Sequence, residues 1–450
     1  MSDRLDPRQL AEETVSQAMS QGAQAADAYV RQSHDLSLVW RNDAPETISR
    51  SSALGLGLRV SVDGRTLLVH STDAGRDALR KLAAEAVAMA RTLPAPAEAT
   101  LFAEKADIAA MPHPDPELAA EPMSDKIARL ALAEKGMLMI PGVTASGGTG
   151  YSESEGIQAL ANSRGLSLVS PFAQVQLSAS AIAESGGESF SGDRYVEAPA
   201  RRFLPDPAQV GRQAGQKAAL MLGARPVPSA RVPVIFTPDT SWVLLACLSE
   251  ALRGDMVVQK RSYLGDLIGQ RIASDLVTIV DDPLLPYGPA SRAFDGEGTA
   301  CRPQTLIENG ILRAYLTDLA SAKKLGVAPG GHAPRGGYSG APGIGTSNFI
   351  LKPGDSAREG IVVETQRGLY LTNLSGWWVG RSSVTDTFSS AAMGFWIEGG
   401  EVVHPVKGIS IGGNLLEMLK AVDRVGRDLP RTESTCVPTI RVAEMAVSGI

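Results

Sequence analysis

The sequence predicts an α+β protein: N-terminal sheet-and-helix domains followed by a mostly β, barrel-like C-terminal domain. Two observations carry this. Forty-six glycines and 28 prolines against 5% aromatic residues demand many turns and short strands. Period-two apolar alternation recurs along the chain, whereas helical stripes are few and lie mainly in the first half.

The first unit is expected over residues 1–95. Arg8 to Gln21 reads as an amphipathic helix with Leu10, Thr14 and Ala18 on one stripe. Ala26 to Arg31 and Leu36 to Arg41 alternate as two half-buried strands. Gly55 to Val62 continues the pattern, turns at Asp63-Gly64 and returns through Thr66 to His70, a hairpin signature. Ala74 to Thr92 is the helix backing this sheet. From 96 to 123 the composition shifts to Pro, Ala and Glu, which marks a linker or a connection hugging the surface.

A middle unit is expected over 124–225. It opens with a helix from Ser124 to Gly136, continues with strands over Val143–Tyr151, Gln158–Ala161, Ser167–Ser170 and Gln174–Ala183, and closes with a helix from Asp206 to Leu222. The last unit, 226–450, starts with a β-branched run, Val232 to Phe236, and a helix entered through Pro238 and Asp239. Its apolar positions Trp242, Val243, Leu244, Leu245, Leu248 and Leu252 require one buried face. Short strands follow at Ile272–Val280, Leu306–Glu308, Ile311–Leu316, Ser347–Leu351, Gly360–Glu364, Leu369–Thr372, Thr385–Ile397, Glu401–Val406 and Thr439–Val442. Ser321–Leu325 and Asn414–Val425 read as helical.

A net charge of −6 with no long basic run excludes a nucleic-acid scaffold built on clustered phosphate contacts. Cys247, Cys301 and Cys436 are odd in number and far apart, as free thiols in a reducing compartment would be. The opening MSDRLDPRQLAEE has no apolar signal core and no 18-residue apolar window occurs, so a cytoplasmic protein without membrane contact is expected.

For metal chemistry, His34, His70, His113, His332 and His404 are all more than six residues apart, and neither HExxH nor CxxC occurs. Gly408-Ile-Ser410-Ile-Gly412 has the form of a nucleophile elbow between a strand and a helix. No histidine follows it, and a structural turn is the expected reading. The glycine-rich stretch from Gly330 to Gly345 matches no phosphate or dinucleotide loop, leaving a mobile surface loop, or else a lid or a segment that orders on a partner. Glu250 and Asp255 are five residues apart, too far for a carboxylate pair on one helix face. Cys247, on the apolar face, reads as a buried thiol.

Segments along the whole chain resemble the TldD/PmbA family, often called modulators of DNA gyrase. They include Gly55-Leu-Gly-Leu-Arg-Val-Ser-Val-Asp-Gly64, Ser274 to Asp282, Phe294-Asp-Gly-Glu-Gly298, Leu306 to Leu312, Thr346-Ser-Asn348, Lys352-Pro-Gly-Asp355 and Ile409 to Leu416. One branch of that family carries HExxxH on the helix opening the third domain. Here Leu245, Ala246 and Glu250 stand at the histidine, glutamate and histidine positions, so the resemblance implies no metal, no cofactor and no catalytic residue of this chain's own. It implies the PmbA/TldE branch: a subunit, also able to form a homodimer, that pairs with a TldD-type metallopeptidase and completes a cleft for unfolded peptide. Asn348, Asp355 and His404, in the matching loops, are the candidates for the cleft. A hydrolase with Ser410 or Cys436 as nucleophile, or a homodimeric scaffold, is the alternative.

Overall fold

The computed structural model describes residues 6–94, 101–108, 110–380, 382, 384–430 and 432–449. Residues 1–5 of the opening segment, 96–100 and 109 of the connection, and positions 95 and 450 at unit ends lie outside them.

Helix α1 (Pro7–Ser20) begins in a capping box: the Asp6 carboxylate accepts from the Gln9 backbone N–H, and the Asp6 N–H donates to the Gln9 side chain. Strands β1 (Ala25–Arg41), β2 (Ala44–Val62) and β3 (Arg65–Ser71) form an antiparallel meander, followed by helix α2 (Arg76–Thr92). The two strands expected within 26–41 are one. Gln32 to Asp35 contain no breaker and keep their pairing with β2. Both hairpins turn on two left-handed residues, Asn42-Asp43 and Asp63-Gly64, as the twist of the strands requires.

The middle segment supplies helix α3 (Met123–Leu138), strands β4 (Val143–Asn162), β5 (Ser167–Ser185) and β6 (Glu188–Ala198), and helix α4 (Pro207–Ala219). Here too the paired short strands merge into long ones. β6 is not foreseen by sequence, because its inward face includes Gly192, which lies against the α4 backbone in place of an apolar side chain. β1 pairs with both β2 and β4, so the sheet runs β3-β2-β1-β4-β5-β6 through both units. Alternation then assigns the faces. Ala26, Ala28 and Val30 pack under α1 and α2, and Leu36, Leu38 and Trp40 continue that face under α3 and α4. Tyr29 and Leu160 point the other way, onto Ala293 and Phe294 of the C-terminal unit.

That unit contains β7 (Ala230–Phe236), α5 (Pro238–Ala251), α6 (Gly254–Val258), β8 (Ile279–Asp281), β9 (Gln304–Glu308), β10 (Ile311–Leu312), α7 (Leu319–Leu325) and β11 (Phe349–Leu351). It continues with α8 (Arg358–Val363), β12 (Arg367–Ser375), β13 (Thr387–Glu398), β14 (Glu401–Asn414), α9 (Leu415–Lys420), β15 (Val422–Val425), β16 (Thr435–Cys436) and β17 (Ile440–Ser448). The order β14-β13-β12-β7-β17 closes through β14–β17 pairing into a five-stranded barrel, the barrel-like core expected. A smaller sheet, β10-β9-β8-β11-β16, packs beside it.

Four expected segments need correction. Gly360–Glu364 is within or just past helix α8, not a strand, because Ile361 docks on Ile235 and Ile397 of the barrel wall and tertiary packing overrides β-branched propensity. Asn414–Val425 is helical only to Lys420, since Val422 and Val425 pair with Val442 and Ile440. Ile272–Val280 and Ile311–Leu316 contribute only short strands at Ile279–Asp281 and Ile311–Leu312.

The glycine-rich stretch is packed between the units. His332 and Ala333 are fully buried, and Arg335 Nη2 donates to Asp27 Oδ1 at 2.8 Å. Tyr338 lies on β2 where Gly55 and Gly57 make room: a Cβ there would come 2.2 Å from its ring and 1.9 Å from its carbonyl oxygen.

Candidate functional site

Helix α5 starts at Pro238, whose missing N–H is no loss in a first turn. It lies between the barrel and the smaller sheet, with Val243, Leu244, Leu245 and Leu248 in the main hydrophobic core. Leu245 has no exposed surface, while Ala246 and Glu250 are half-buried. Ser241 Oγ donates to the carbonyl of Pro438 at 3.2 Å, which fixes the helix beside the segment carrying Cys436. The Cys436 thiol donates to the Glu433 carbonyl at 2.8 Å, and burial pushes its pKa up to about 11. It therefore stays protonated at neutral pH and is a poor nucleophile or ligand.

At the N-terminal end of α5 a cleft of about 460 Å³ opens between the middle and C-terminal units. Gln213 and Gln216 of α4 line one wall, Tyr370 and Thr372 of β12 and Phe395 of β13 another. Asp239 closes its floor, paired to Lys217 Nζ at 2.7 Å and Arg194 Nη1 at 3.2 Å. Burial opposes its charge, but Lys217 and Arg194 outweigh that and hold its carboxyl below the ordinary value. Glu433, in the same cleft, is held above the ordinary value by burial in spite of Arg194. Asp428 accepts from Thr439 Oγ1 at 2.8 Å and from Arg358 Nε at 2.8 Å. The wall thus offers amides, a hydroxyl and aromatic faces around carboxylates that are mostly engaged, an arrangement that can bind a polar main chain with apolar side chains.

The residues singled out by sequence lie apart. Asn348 is fully buried; its Oδ1 accepts from Ala290 N at 3.1 Å and its Nδ2 donates to the Asp282 carbonyl at 2.7 Å, so it ties two loops together. Asp355 is exposed after β11, and His404 sits half-buried on β14 with Nδ1 3.1 Å from the Pro405 carbonyl. None of the three lines the cleft at α5. Ser410 is in the interior of β14, paired with Ala391 and Ser448, rather than in the expected turn, and no strand-to-helix elbow presents it. Arg194, Lys217 and Glu433 carry no local sequence signal, because β6, α4 and the segment before β16 converge only in the fold.

Family profiles described as PmbA/TldA metallopeptidase domain 1, central domain and C-terminal domain match residues 26–90, 95–222 and 229–449. A protein named Metalloprotease PmbA from Escherichia coli O157:H7 is 30% identical over 98% of this chain and 97% of its own length. A Metalloprotease PmbA homolog from Haemophilus influenzae is 30% identical over 98% and 96%. Among solved structures, one from Bacteroides thetaiotaomicron described as a modulator of DNA gyrase superposes with a TM-score of 0.89 at 26% identity, covering 98% of both chains. TldE from Thermococcus kodakarensis shares the fold with a TM-score of 0.88 at 21% identity, covering 97% of this chain and 99% of its own.

The metal in those names needs a converging set of donors. Leu245 is embedded in the core, Ala246 has no donor atom, and Glu250 is the one carboxylate at the three positions. Among the described residues, no three His, Cys, Asp or Glu side chains are placed to hold an ion. The residues present at α5 do not fit a metal centre.

Proposed function

Because the chain belongs to the PmbA/TldD metallopeptidase family, we propose that it is the non-catalytic subunit of a TldD/TldE-type peptidase, completing a cleft that holds unfolded peptide for a metal-bearing TldD-type partner. The observation that carries this reading is Leu245: where a metal subunit needs a ligand, this chain has a core residue with no exposed surface. The cleft at the head of α5 supports the binding role. Its glutamines and Thr372 suit main-chain hydrogen bonds, and Tyr370 and Phe395 offer faces to apolar side chains.

Within the same reading, Asn348 positions the loops it joins, while Asp355 and His404 are contact sites for the partner or the peptide. The units 1–95, 124–225 and 226–450, with 96–123 between them, are its domains, and a homodimer is its form without the partner. Cys247, Cys301 and Cys436 are buried and in no disulfide, which supports a cytoplasmic location. Among the described residues no helix is long and apolar enough to cross a membrane.

The test is reconstitution. The isolated chain should bind a denatured peptide without cutting it, and adding a TldD-type subunit should produce cleavage that a chelator stops. Replacing Gln213 and Gln216 by Ala should weaken peptide binding by about tenfold. Chelator-sensitive hydrolysis by the isolated chain would overturn the reading.

A further inference from the structure

The N-terminal sheet has one rim that its own chain does not close. Among the described residues, β3 covers the outer edge of β2 only from Leu56 to Val62, and residues 47–55 pair with β1 alone. Residues 41–53 are all exposed, Ile48 to 52%. Tyr338 lies over Gly55 and Gly57 but adds no strand. The backbone N–H and C=O groups that point outward along this stretch therefore end in solvent, a template for a further strand.

Sheets guard such rims with proline, bulges and charge. Here the guards stand together at one end. Pro45 is opposite Trp40 and Thr47 is opposite Val39, which leaves Glu46 as an extra, bulged residue between them. The Glu46 carboxylate is tied back to Arg41 Nε at 3.4 Å. Beyond the bulge, 47–55 reads Thr-Ile-Ser-Arg-Ser-Ser-Ala-Leu-Gly, with no proline, an unshifted register and one charge. At about 3.4 Å per residue this unguarded rim is roughly 30 Å long.

We propose that this rim joins the same rim of a second copy, antiparallel, about a two-fold axis perpendicular to the sheet. The proposal deepens the reading of the chain as a homodimer in the absence of its partner, and rests on it. Symmetry limits the register. Such an axis keeps each face of the sheet on its own side, so a residue can oppose only one of the same parity. Centring on Arg50 sets two guanidinium groups against each other, and centring on Ser52 sets Arg50 against Leu54. Centring on Ile48 or Ser49 leaves five paired residues or fewer before the Glu46 bulge. Centring on Ser51 uses all of 47–55, from Thr47 against Gly55 to Gly55 against Thr47. It also sets Ile48 against Leu54, on the face where Leu54 already packs onto the core under α1 and α2. Two apolar pairs then extend that core across the axis.

Sedimentation equilibrium of the full-length chain should show a dimer. Ile48→Lys, at an exposed side chain, should raise its dissociation constant by about tenfold or more, because two ammonium groups then face Leu54. Ser51→Cys should give a covalent dimer on mild oxidation, since opposed residues lie about 4.5–5.5 Å apart at Cα, within the span of a disulfide. Ser49→Cys should not, because its two copies lie roughly 13 Å apart along the ladder. The native thiols are buried and do not compete. A dimer that is indifferent to Ile48→Lys and forms no cross-link through Ser51→Cys overturns the rim while leaving the homodimer. A monomer overturns both, yet leaves the reconstitution with a TldD-type subunit to be judged on its own result. A monomer whose binding of denatured peptide is lost in Ile48→Lys would give the rim to an extended peptide and overturn self-pairing.

Discussion

Arg335, from the glycine-rich stretch, and Asp27, from the middle of the N-terminal sheet, form a buried ion pair at 2.8 Å across 308 residues of sequence. Arg59 donates to the other carboxylate oxygen, so a single aspartate holds two arginines. Asp27→Ala leaves both guanidinium groups buried and unmatched and should destabilise the protein by about 3–5 kcal/mol. Urea unfolding checks this, and a loss below about 1 kcal/mol would show that the pair is not holding the units together.

Tyr338 and the two β2 glycines make a directional prediction. Gly55→Ala puts a methyl against the Tyr338 ring, and Gly57→Ala puts one against its backbone carbonyl. Each should cost about 1–3 kcal/mol as overpacking. Tyr338→Ala should relieve much of the first and little of the second, because a backbone oxygen remains after the ring is removed. The double-mutant cycles read this coupling directly.

His332 makes stability depend on pH in a definite window. Burial lowers its pKa from 6.5 to about 4, with Arg292 adding to the effect. The unfolded imidazole takes up a proton near 6.5, the folded one only near 4. Its contribution is therefore complete above pH 6.5 and is lost as pH falls between those values, at up to about 1.4 kcal/mol per pH unit. His332→Gln should flatten that part of the urea-midpoint profile, and an unchanged slope would reassign it to other groups.

Leu245 packs at the centre of the main hydrophobic core with no exposed surface. Leu245→Ala should cost about 2–5 kcal/mol by thermal or denaturant unfolding, as a core truncation does. A loss under 1 kcal/mol would mean that the helix does not depend on this contact.

Much of this architecture is legible in the residues. The stripe in α1, the Asp63-Gly64 hairpin and the Pro238 entry to α5 are local signals with local outcomes. So is the period-two alternation that builds the sheet. What local reading misses depends on distant contacts. Ile361 becomes helical because of Ile235 and Ile397, and β6 becomes a strand because α4 lies over Gly192. The candidate site divides in the same way. The apolar stripe of α5 and its Pro238 entry can be placed from the chain, whereas Lys217 and Arg194 meet Asp239 only once α4 and β6 have folded against α5.

The strand order has a practical consequence for anyone cutting this protein into pieces. β1 exchanges hydrogen bonds with β4 from Asp27–Asn162 to Trp40–Thr149. A fragment ending before the connection would expose that whole flank of β1, a long unpaired edge ready to recruit another copy. Such a fragment should aggregate, whereas a chain nicked between α2 and α3 should stay together, stitched by the same ladder.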